Sequence, residues 1–200
     1  ANMAANMARL GMNTALVSCI GNDNIGIYLK REVAKTGIDV SHVAVDDFQP
    51  TSIVVVSRTK GTPDFIAYRT ADRMLQPQHI PDSLLAESAI FHTTCFALSK
   101  NPARQTILNR AQKAKALGLQ LSIDINFSER IWPDREEAKS VLKQYLANDP
   151  LVKLSEDDCY RLFAAVKSEE YIFDYFHSLG ASTICLTKGK NGVVVSNINQ

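Results

Sequence analysis

The chain has 200 residues, with 22 Lys or Arg against 21 Asp or Glu, so its formal net charge is +1. Hydrophobic residues make up 46% and charged residues 22%, which is typical of a folded globular domain and excludes a disordered or collagen-like chain. A near-neutral chain also disfavours nucleic acid or an anionic membrane surface as the main partner, because both demand a concentrated excess of Lys and Arg.

Helical patterns that end in glycine recur along the chain, each followed closely by a short apolar segment. The apolar segments at 14–20, 119–125 and 183–187 are nearly continuous, which is typical of strands covered on both faces. Alternation of helices with such strands predicts a doubly wound, mainly parallel α/β sheet flanked by helices. The closing glycines are Gly11, Gly37, Gly118 and Gly180, and the helical faces before them include Met3, Met7 and Leu10, then Ile25, Leu29 and Val33.

The segment from Thr51 to Arg69 interrupts this alternation. Two β-rich runs, Thr51 to Arg58 and Phe65 to Arg69, flank a Gly/Pro turn, which predicts a β-hairpin inserted between the α/β units. Such a hairpin either projects from the sheet as a lid or simply extends the main sheet at its edge.

Polar residues follow the predicted strands. In an open α/β sheet, ligands bind beyond the carboxyl ends of the strands, so these residues are the first candidates for a site. They are Gly21, Asn22 and Asp23; Thr93 and Thr94; Asn126, Ser128 and Arg130; Ser155, Glu156, Asp157 and Asp158; and Thr187 to Gly192.

Two of these loops have the residues to handle phosphate. The loop from Thr187 to Gly192 combines two glycines with two lysines, which indicates either an anion cradle or an ordinary type I′ hairpin turn at Asn191 and Gly192. Ser155 is predicted to cap a helix with Asp158 as the acid of the capping box. The acids at 156–158 could also hold hydrated Mg²⁺ beside a nucleotide.

Several common sites are excluded by spacing. No Gly-x-Gly occurs, which removes the dinucleotide-binding fingerprint and with it an NAD-dependent oxidoreductase. Gly21 and Gly26 have Walker A spacing, but Ile27 and Tyr28 stand where Lys and Ser or Thr are required. The four cysteines form no Cys-x-x-Cys pair, so we interpret them as buried, reduced thiols of a cytoplasmic protein.

Six short segments, in order along nearly the whole chain, carry the strongest functional signal. They are Ala1-Asn2-Met3-Ala4 with Gly11; Ile20-Gly21-Asn22-Asp23 with Gly26; Tyr68-Arg69-Thr70-Ala71-Asp72; Asp124-Ile125-Asn126 with Trp132; Leu154-Ser155-Glu156-Asp157-Asp158; and Thr187-Lys188-Gly189 with Gly192. In this order they resemble the signature segments of the PfkB carbohydrate kinase family, the ribokinase-like sugar kinases. The nearest members are fructokinase-like and 2-keto-3-deoxygluconate kinase-like.

The resemblance implies an incomplete ribokinase-like domain over residues 1–200, with the hairpin at 51–69 as a lid and a possible site of homodimerisation. It implies transfer of phosphate from ATP to a primary hydroxyl of a small sugar, with Mg²⁺ and a monovalent cation as cofactors. The implied sugar contacts are Asn2, Tyr68 and Arg69; the implied phosphate and ATP contacts are Asn126, Ser155, Thr187, Gly189 and Gly192; Asp158 is implied to organise Mg²⁺ indirectly.

The chain also departs from the family pattern. The family's Gly-Ala-Gly-Asp segment, whose Asp is the catalytic base, has no match here and is expected beyond Gln200, so we predict no kinase activity for the isolated chain. The alternative is a non-catalytic sugar- or nucleotide-binding module. Ser128 stands where related kinases carry an Arg that suits carboxylate-bearing sugars. This weakens the hypothesis that the substrate is a sugar acid, and the sequence does not identify the sugar.

Overall fold

The computed structural model describes residues 2–57 and 64–198. In chain order the elements are α1 Asn2–Arg9, β1 Ser18–Gly21, α2 Asn24–Ala34, β2 Val43–Asp46, β3 Ile53–Ser57, β4 Asp64–Tyr68, α3 Asp82–Ala86, β5 Ile90–Thr94, α4 Ala103–Ala116, β6 Gln120–Asp124, α5 Arg135–Leu146, β7 Leu151–Ser155, α6 Glu156–Phe163, α7 Glu169–Ser178, β8 Thr183–Thr187 and β9 Val193–Asn197. Short 3₁₀ turns occur at Ala71–Met74, Pro77–His79, Ala97–Ser99 and Gly189–Asn191. Across the described ranges, no helix is long and apolar enough to cross a membrane.

The fold consists of two compact units. The described residues up to Pro81, together with Asn101–Thr106, form the N-terminal unit, and those of Asp82–Lys100 and Ile107–Gln200 form the C-terminal unit. The single domain expected over 1–200 stays a prediction.

In the N-terminal unit, β1 and β2 pair in parallel, from Ser18 opposite Val43 to Gly21 opposite Asp46. The strand predicted from residue 14 is shorter than expected, because Ala15 makes only an isolated bridge to Asp39 before the continuous ladder begins. Buried side chains of this unit include Cys19, Ile20, Ile38, Val43, Leu75 and Ile80.

The periodic apolar faces of α1 and α2 are not buried in this unit. Met3 and Leu10 are 43% and 77% exposed, and Ile25 is 51% exposed. Gly26 is the buried residue of α2. Helical periodicity therefore located these helices correctly without showing that their apolar faces are covered.

The two β-rich runs after Thr51 pair as an antiparallel ladder, from Ile53 opposite Tyr68 to Ser57 opposite Asp64. Within the described residues this pair forms a sheet of its own, so an extension of the main sheet is the wrong interpretation. The predicted turn at 59–64 lies outside the described residues, apart from Asp64 at the start of β4. Every side chain of β3 is exposed. The action of the hairpin as a lid stays a prediction.

The C-terminal unit contains a five-stranded sheet in the order β5-β6-β7-β8-β9. The first four strands are parallel, and β9 runs antiparallel to β8. This mostly parallel sheet flanked by helices confirms the predicted fold class. The buried hydrophobic residues of its strands are Leu121, Ile123, Val152, Leu154, Ile184 and Leu186, and those of the helices include Ala111, Leu142, Tyr145, Leu162 and Phe176.

The predicted helix ends are also confirmed. Positive φ angles occur at each of the closing glycines, which accept this conformation without the Cβ penalty of other residues. These glycines are Gly11, Gly37, Gly118 and Gly180.

Candidate functional site

Three predicted phosphate contacts lie at the carboxyl edge of the C-terminal sheet. Ser155 ends β7 directly opposite Thr187, which ends β8. Asn126 comes two residues after the end of β6, the strand on the other side of β7. Consecutive parallel strands therefore deliver one polar side chain each to the same edge, which is where ligands bind in such sheets.

Asn126 is presented to solvent by its neighbours. Ile125 and Phe127 on either side are fully buried, whereas Asn126 is exposed and has a φ of 29°. Asn tolerates this left-handed conformation better than most residues. The loop is held further along by Trp132, whose indole N–H donates to the carbonyl of Cys95 at 3.1 Å.

Ser155 and Asp158 form the capping box that the sequence predicts for α6. The Ser155 hydroxyl donates to Asp158 Oδ2 at 2.6 Å and accepts the Asp158 amide N–H at 3.1 Å. Asp158 is only 4% exposed, and its Oδ2 also accepts the backbone N–H of Ser155. This carboxylate is therefore committed to holding the start of α6 beside the sheet edge.

The loop after Thr187 is a 3₁₀ turn, so the predicted type I′ turn at Asn191 and Gly192 is wrong. A type I′ turn needs two consecutive positive φ angles, but here the positive values belong to Gly189 at 54° and Gly192 at 89°. The N–H of Lys188 donates to the Gly192 carbonyl at 2.8 Å and closes the loop.

This loop has features that suit an anion. A Cβ added at Gly189 or at Gly192 would meet nothing within 4 Å, so ligand atoms can approach the backbone there. Among the residues that the structure describes, no group accepts the amide N–H of Gly189 or of Lys190. Successive unpaired N–H groups in a turn are a known form of anion cradle.

The charges around this edge are partly paired. Lys153 on β7 donates to Asp124 Oδ1 on β6 at 3.1 Å. Lys188 donates to Glu169 at the start of α7, and this carboxylate raises the pKa of Lys188. Lys153 was not among the site residues predicted from the sequence. It is the single charged residue inside the apolar run at 151–154, and this position could have identified it as a candidate.

In the N-terminal unit, Tyr68 and Arg69 lie at the end of β4. Tyr68 is 55% exposed, whereas the Arg69 side chain is only 8% exposed and pairs with Asp72. Burial lowers the pKa of Arg69, and the attraction of Asp72 opposes this effect. Asn2 lines a cavity of about 210 Å³ between α1 and α2, which neither Tyr68 nor Arg69 lines.

A second arginine of this region was missed by sequence analysis. The Nε of Arg73 is buried and has no hydrogen-bond partner in the described part of the chain. Arg73 lies in the 3₁₀ turn that follows Arg69 and carries Asp72. The turn thus contributes the carboxylate of Asp72, which pairs with Arg69, and the guanidinium of Arg73, whose Nε has no partner among the described residues.

The described residues contain no metal site built from side chains alone. Within 2–57 and 64–198, no three His, Cys, Asp or Glu side chains are grouped so that they could hold a metal ion. The carboxyl groups near Ser155 could still contribute to a site whose other ligands are phosphates and water, which is the usual arrangement for Mg²⁺.

Comparison with known proteins gives a consistent answer. The model of the pfkB family carbohydrate kinases matches residues 1–200. An ATP-dependent 6-phosphofructokinase of Thermoanaerobacterium thermosaccharolyticum is 32% identical over 98% of this chain and 61% of its own length. A fructokinase of Klebsiella pneumoniae is 30% identical over 96% of this chain and 63% of its own length. The chain thus spans less than two thirds of these two relatives.

Solved structures agree with this assignment. The fructokinase of Halothermothrix orenii superposes with a TM-score of 0.89 at 32% identity, covering 100% of this chain and 70% of that one. A sugar kinase of Pyrococcus horikoshii in complex with ATP superposes with a TM-score of 0.82 at 25% identity, covering 98% of this chain and 62% of that one. The sheet, the edge residues and the family match together establish that this chain belongs to the pfkB family of carbohydrate kinases.

Proposed function

We propose that the complete protein containing this chain transfers the γ-phosphoryl group of ATP to a primary hydroxyl of a hexose or keto-sugar. The observation that supports this most directly is that Asn126, Ser155 and Thr187 lie at or just beyond the carboxyl ends of three adjacent strands of the C-terminal sheet. Phosphoryl transfer depends mainly on positioning and charge neutralisation, and polar groups on a rigid sheet edge supply positioning.

In this proposal the nucleotide binds along Thr187 to Gly192. The open faces of Gly189 and Gly192 allow phosphate or ribose to approach the backbone, and the N–H groups of Gly189 and Lys190 are available to donate. Asn126 binds phosphate oxygens through its amide N–H groups, and Ser155 does so when its hydroxyl proton turns from Asp158 to the phosphate. Lys188 is a cation at neutral pH, and its hydrogen bond to Glu169 raises its pKa further.

Mg²⁺ fits this edge only as an ion held chiefly by phosphates and water. Asp158 is buried and bonded to Ser155, so we assign it to orienting Ser155 and, through water, the ion. When bound, the ion would neutralise charge on the transferring phosphate. A monovalent cation stays a prediction, which comparison of turnover in K⁺ and Na⁺ would test.

The sugar is assigned to Asn2, Tyr68 and Arg69. Tyr68 is exposed enough to contact a ligand directly, whereas Arg69 is mostly enclosed with Asp72 and offers only part of its guanidinium. Relatives named for fructose and for 6-phosphofructose make keto-sugars the first substrates to test. Ser128 supplies no charge for a sugar acid, and its hydroxyl accepts the Arg130 amide N–H at 3.3 Å.

The exposed hairpin β3–β4 is proposed to act as the lid over the sugar and to pair with a second copy of the protein. Val55 is 54% and Ile66 59% exposed, and they lie opposite each other in the ladder. Apolar ribbons of this kind are usually covered in the working assembly. Substituting both by Thr should shift the complete protein from dimer to monomer in analytical ultracentrifugation, whereas Val166→Thr, at an 86% exposed site, should not.

A coupled ADP-release assay of the complete protein over hexoses, pentoses, keto-sugars, sugar acids and fructose 6-phosphate tests the proposed activity. Turnover with at least one sugar is expected, and no turnover with any would contradict it. We propose that the isolated 200-residue chain is inactive, because none of its matched residues corresponds to the family's catalytic Asp. ATP binding without turnover by the complete protein would favour the binding-module alternative.

We also propose a cytoplasmic location. All four cysteines are free thiols in the structure, and three of them are buried. Unpaired thiols persist in reducing compartments, and disulfides form mainly outside them. Fractionation of the source cells with a compartment marker would test this location.

A further inference from the structure

The segment Gly21 to Gly26 resembles a family signature, but the proposed chemistry leaves its residues without a role. In the structure, Asp23 is the N-cap of α2 and accepts the Gly26 amide N–H at 2.8 Å. The same carboxylate also accepts two hydrogen bonds from Thr51, from its backbone N–H at 2.7 Å and from its hydroxyl at 2.8 Å. Helix capping accounts only for the first of these three bonds.

The two glycines of the segment allow Thr51 to come this close. A Cβ at Gly21 would lie 2.5 Å from the Thr51 backbone nitrogen, and a Cβ at Gly26 would lie 2.6 Å from its hydroxyl oxygen. Both distances are shorter than real Cβ atoms show. The Gly21 N–H also donates to the Thr51 hydroxyl at 3.0 Å. The two glycines therefore leave room for Thr51, and Asp23 between them accepts its hydrogen bonds.

Thr51 is joined through the next residue to the end of the hairpin. The hydroxyl of Ser52 accepts the Thr70 amide N–H at 2.9 Å and donates to the Asp72 carboxylate. Asp72 in turn pairs with Arg69. A continuous path of hydrogen bonds and one peptide link thus leads from Asp23 to the guanidinium that we assign to the sugar.

We propose that Asp23 is a positioning residue for the sugar site, acting through Thr51 on the base of the hairpin and on Arg69. The carboxylate is suited to this because it has two oxygens: Oδ1 serves the helix cap and the Thr51 hydroxyl, and Oδ2 holds the Thr51 backbone. A one-oxygen residue can cap α2 but has no second oxygen to accept the Thr51 backbone N–H. This role in sugar binding rests on the proposed function, whereas the role in holding the hairpin does not.

The decisive variant is Asp23→Ser, because Ser is an equally good helix cap and lacks the second oxygen. Amide hydrogen exchange in β3 and β4 should become about tenfold faster, because hydrogen bonds to a charged acceptor are among the stronger ones. Thr51→Val loses the hydroxyl bonds but keeps the backbone N–H bond to Oδ2, so it should speed exchange less than Asp23→Ser does, and Thr51→Ser should leave exchange at the wild-type rate. Asp134→Ser is the matched control, since Asp134 caps α5 through Glu136 and Glu137 of its own helix.

In the complete protein, Asp23→Ser should raise the sugar KM about tenfold while the ATP KM stays within about twofold. Wild-type exchange in the hairpin of Asp23→Ser would overturn the proposal, as would an unchanged sugar KM. Equal rises in the sugar and ATP KM values would also overturn it, since they indicate a general structural defect. If no sugar is phosphorylated, the proposed function fails, while the exchange result still decides whether Asp23 holds the hairpin.

Discussion

Ser155 and Asp158 bond each other in both directions at the carboxyl edge of the C-terminal sheet. The serine hydroxyl donates to Oδ2 of the aspartate and accepts the aspartate amide N–H. These bonds fix Ser155, the last residue of β7, to the first turn of α6. The orientation of the Ser155 hydroxyl therefore depends on the buried carboxylate of Asp158.

Asp158→Ala should accordingly lower the free energy of unfolding of the C-terminal unit by about 1–2 kcal/mol, since it removes one half of a capping box. Urea unfolding followed by the fluorescence of Trp132 measures this, because the chain has one Trp and it is buried. Asp157→Ala, whose side chain is 78% exposed, should change the free energy by less than about 0.5 kcal/mol. Equal effects of the two substitutions would contradict the assignment.

Thiol reactivity should separate Cys185 from the other cysteines. Burial raises the pKa of Cys19 to about 11 and those of Cys95 and Cys159 to about 12, so their thiolate populations at pH 8 are very small. Cys185 is partly exposed. In native protein treated with a disulfide reagent at pH 8, one thiol should react rapidly and three only after unfolding, and Cys185→Ser should abolish the rapid phase. A second rapid thiol in the native protein would be inconsistent with this structure.

The contribution of Asp23 to stability should disappear in acid. Hydrogen bonds from Thr51, chiefly its backbone N–H, and from Gly26 lower the pKa of Asp23 below its ordinary value. A lowered folded-state pKa means that this stabilisation is complete above the unfolded pKa of about 4 and is lost as the pH falls through the folded value. The stability difference between wild type and Asp23→Asn, measured by circular dichroism in urea, should therefore be constant from pH 7 to about 5 and shrink below about 4. A difference that stays constant down to pH 2 would show that the charge of Asp23 is not what stabilises the loop.

Replacement of Arg69 by Met should lower the free energy of unfolding, whereas replacement of Arg73 by Met should not. Arg69→Met leaves Asp72 without its partner in a mostly enclosed ion pair, so we expect a loss of about 2 kcal/mol in the free energy of unfolding. Arg73→Met removes a buried Nε that has no partner among the described residues and should leave stability unchanged or raise it by about 1 kcal/mol. Thermal unfolding by circular dichroism compares them, and a larger loss for Arg73→Met would show that its guanidinium has a stabilising partner.

Interactions that close within a few residues were predictable from the sequence by itself. The capping box at Ser155 joins residues three apart, the closing glycines act at the ends of their own helices, and the apolar segment at 119–125 indicated a strand buried on both faces. The order of six short segments was enough to suggest the family. Each of these signals is local, because the physical partners are neighbours along the chain or on one face of one element.

Only the tertiary structure decided the relations between distant segments. Asp23 and Thr51 are 28 residues apart, and nothing near either of them in the sequence indicates that one carboxylate serves both. Asn191-Gly192 favours a type I′ turn locally, but the bond from Lys188 to the Gly192 carbonyl selects a 3₁₀ turn. Tyr68 and Arg69 are adjacent, yet one is exposed and the other enclosed, because Asp72 draws the guanidinium inward. The Asp23–Thr51 contact depends on packing between distant segments, and the other two outcomes depend on local conformation and burial in the folded chain. Sequence periodicity and spacing report neither.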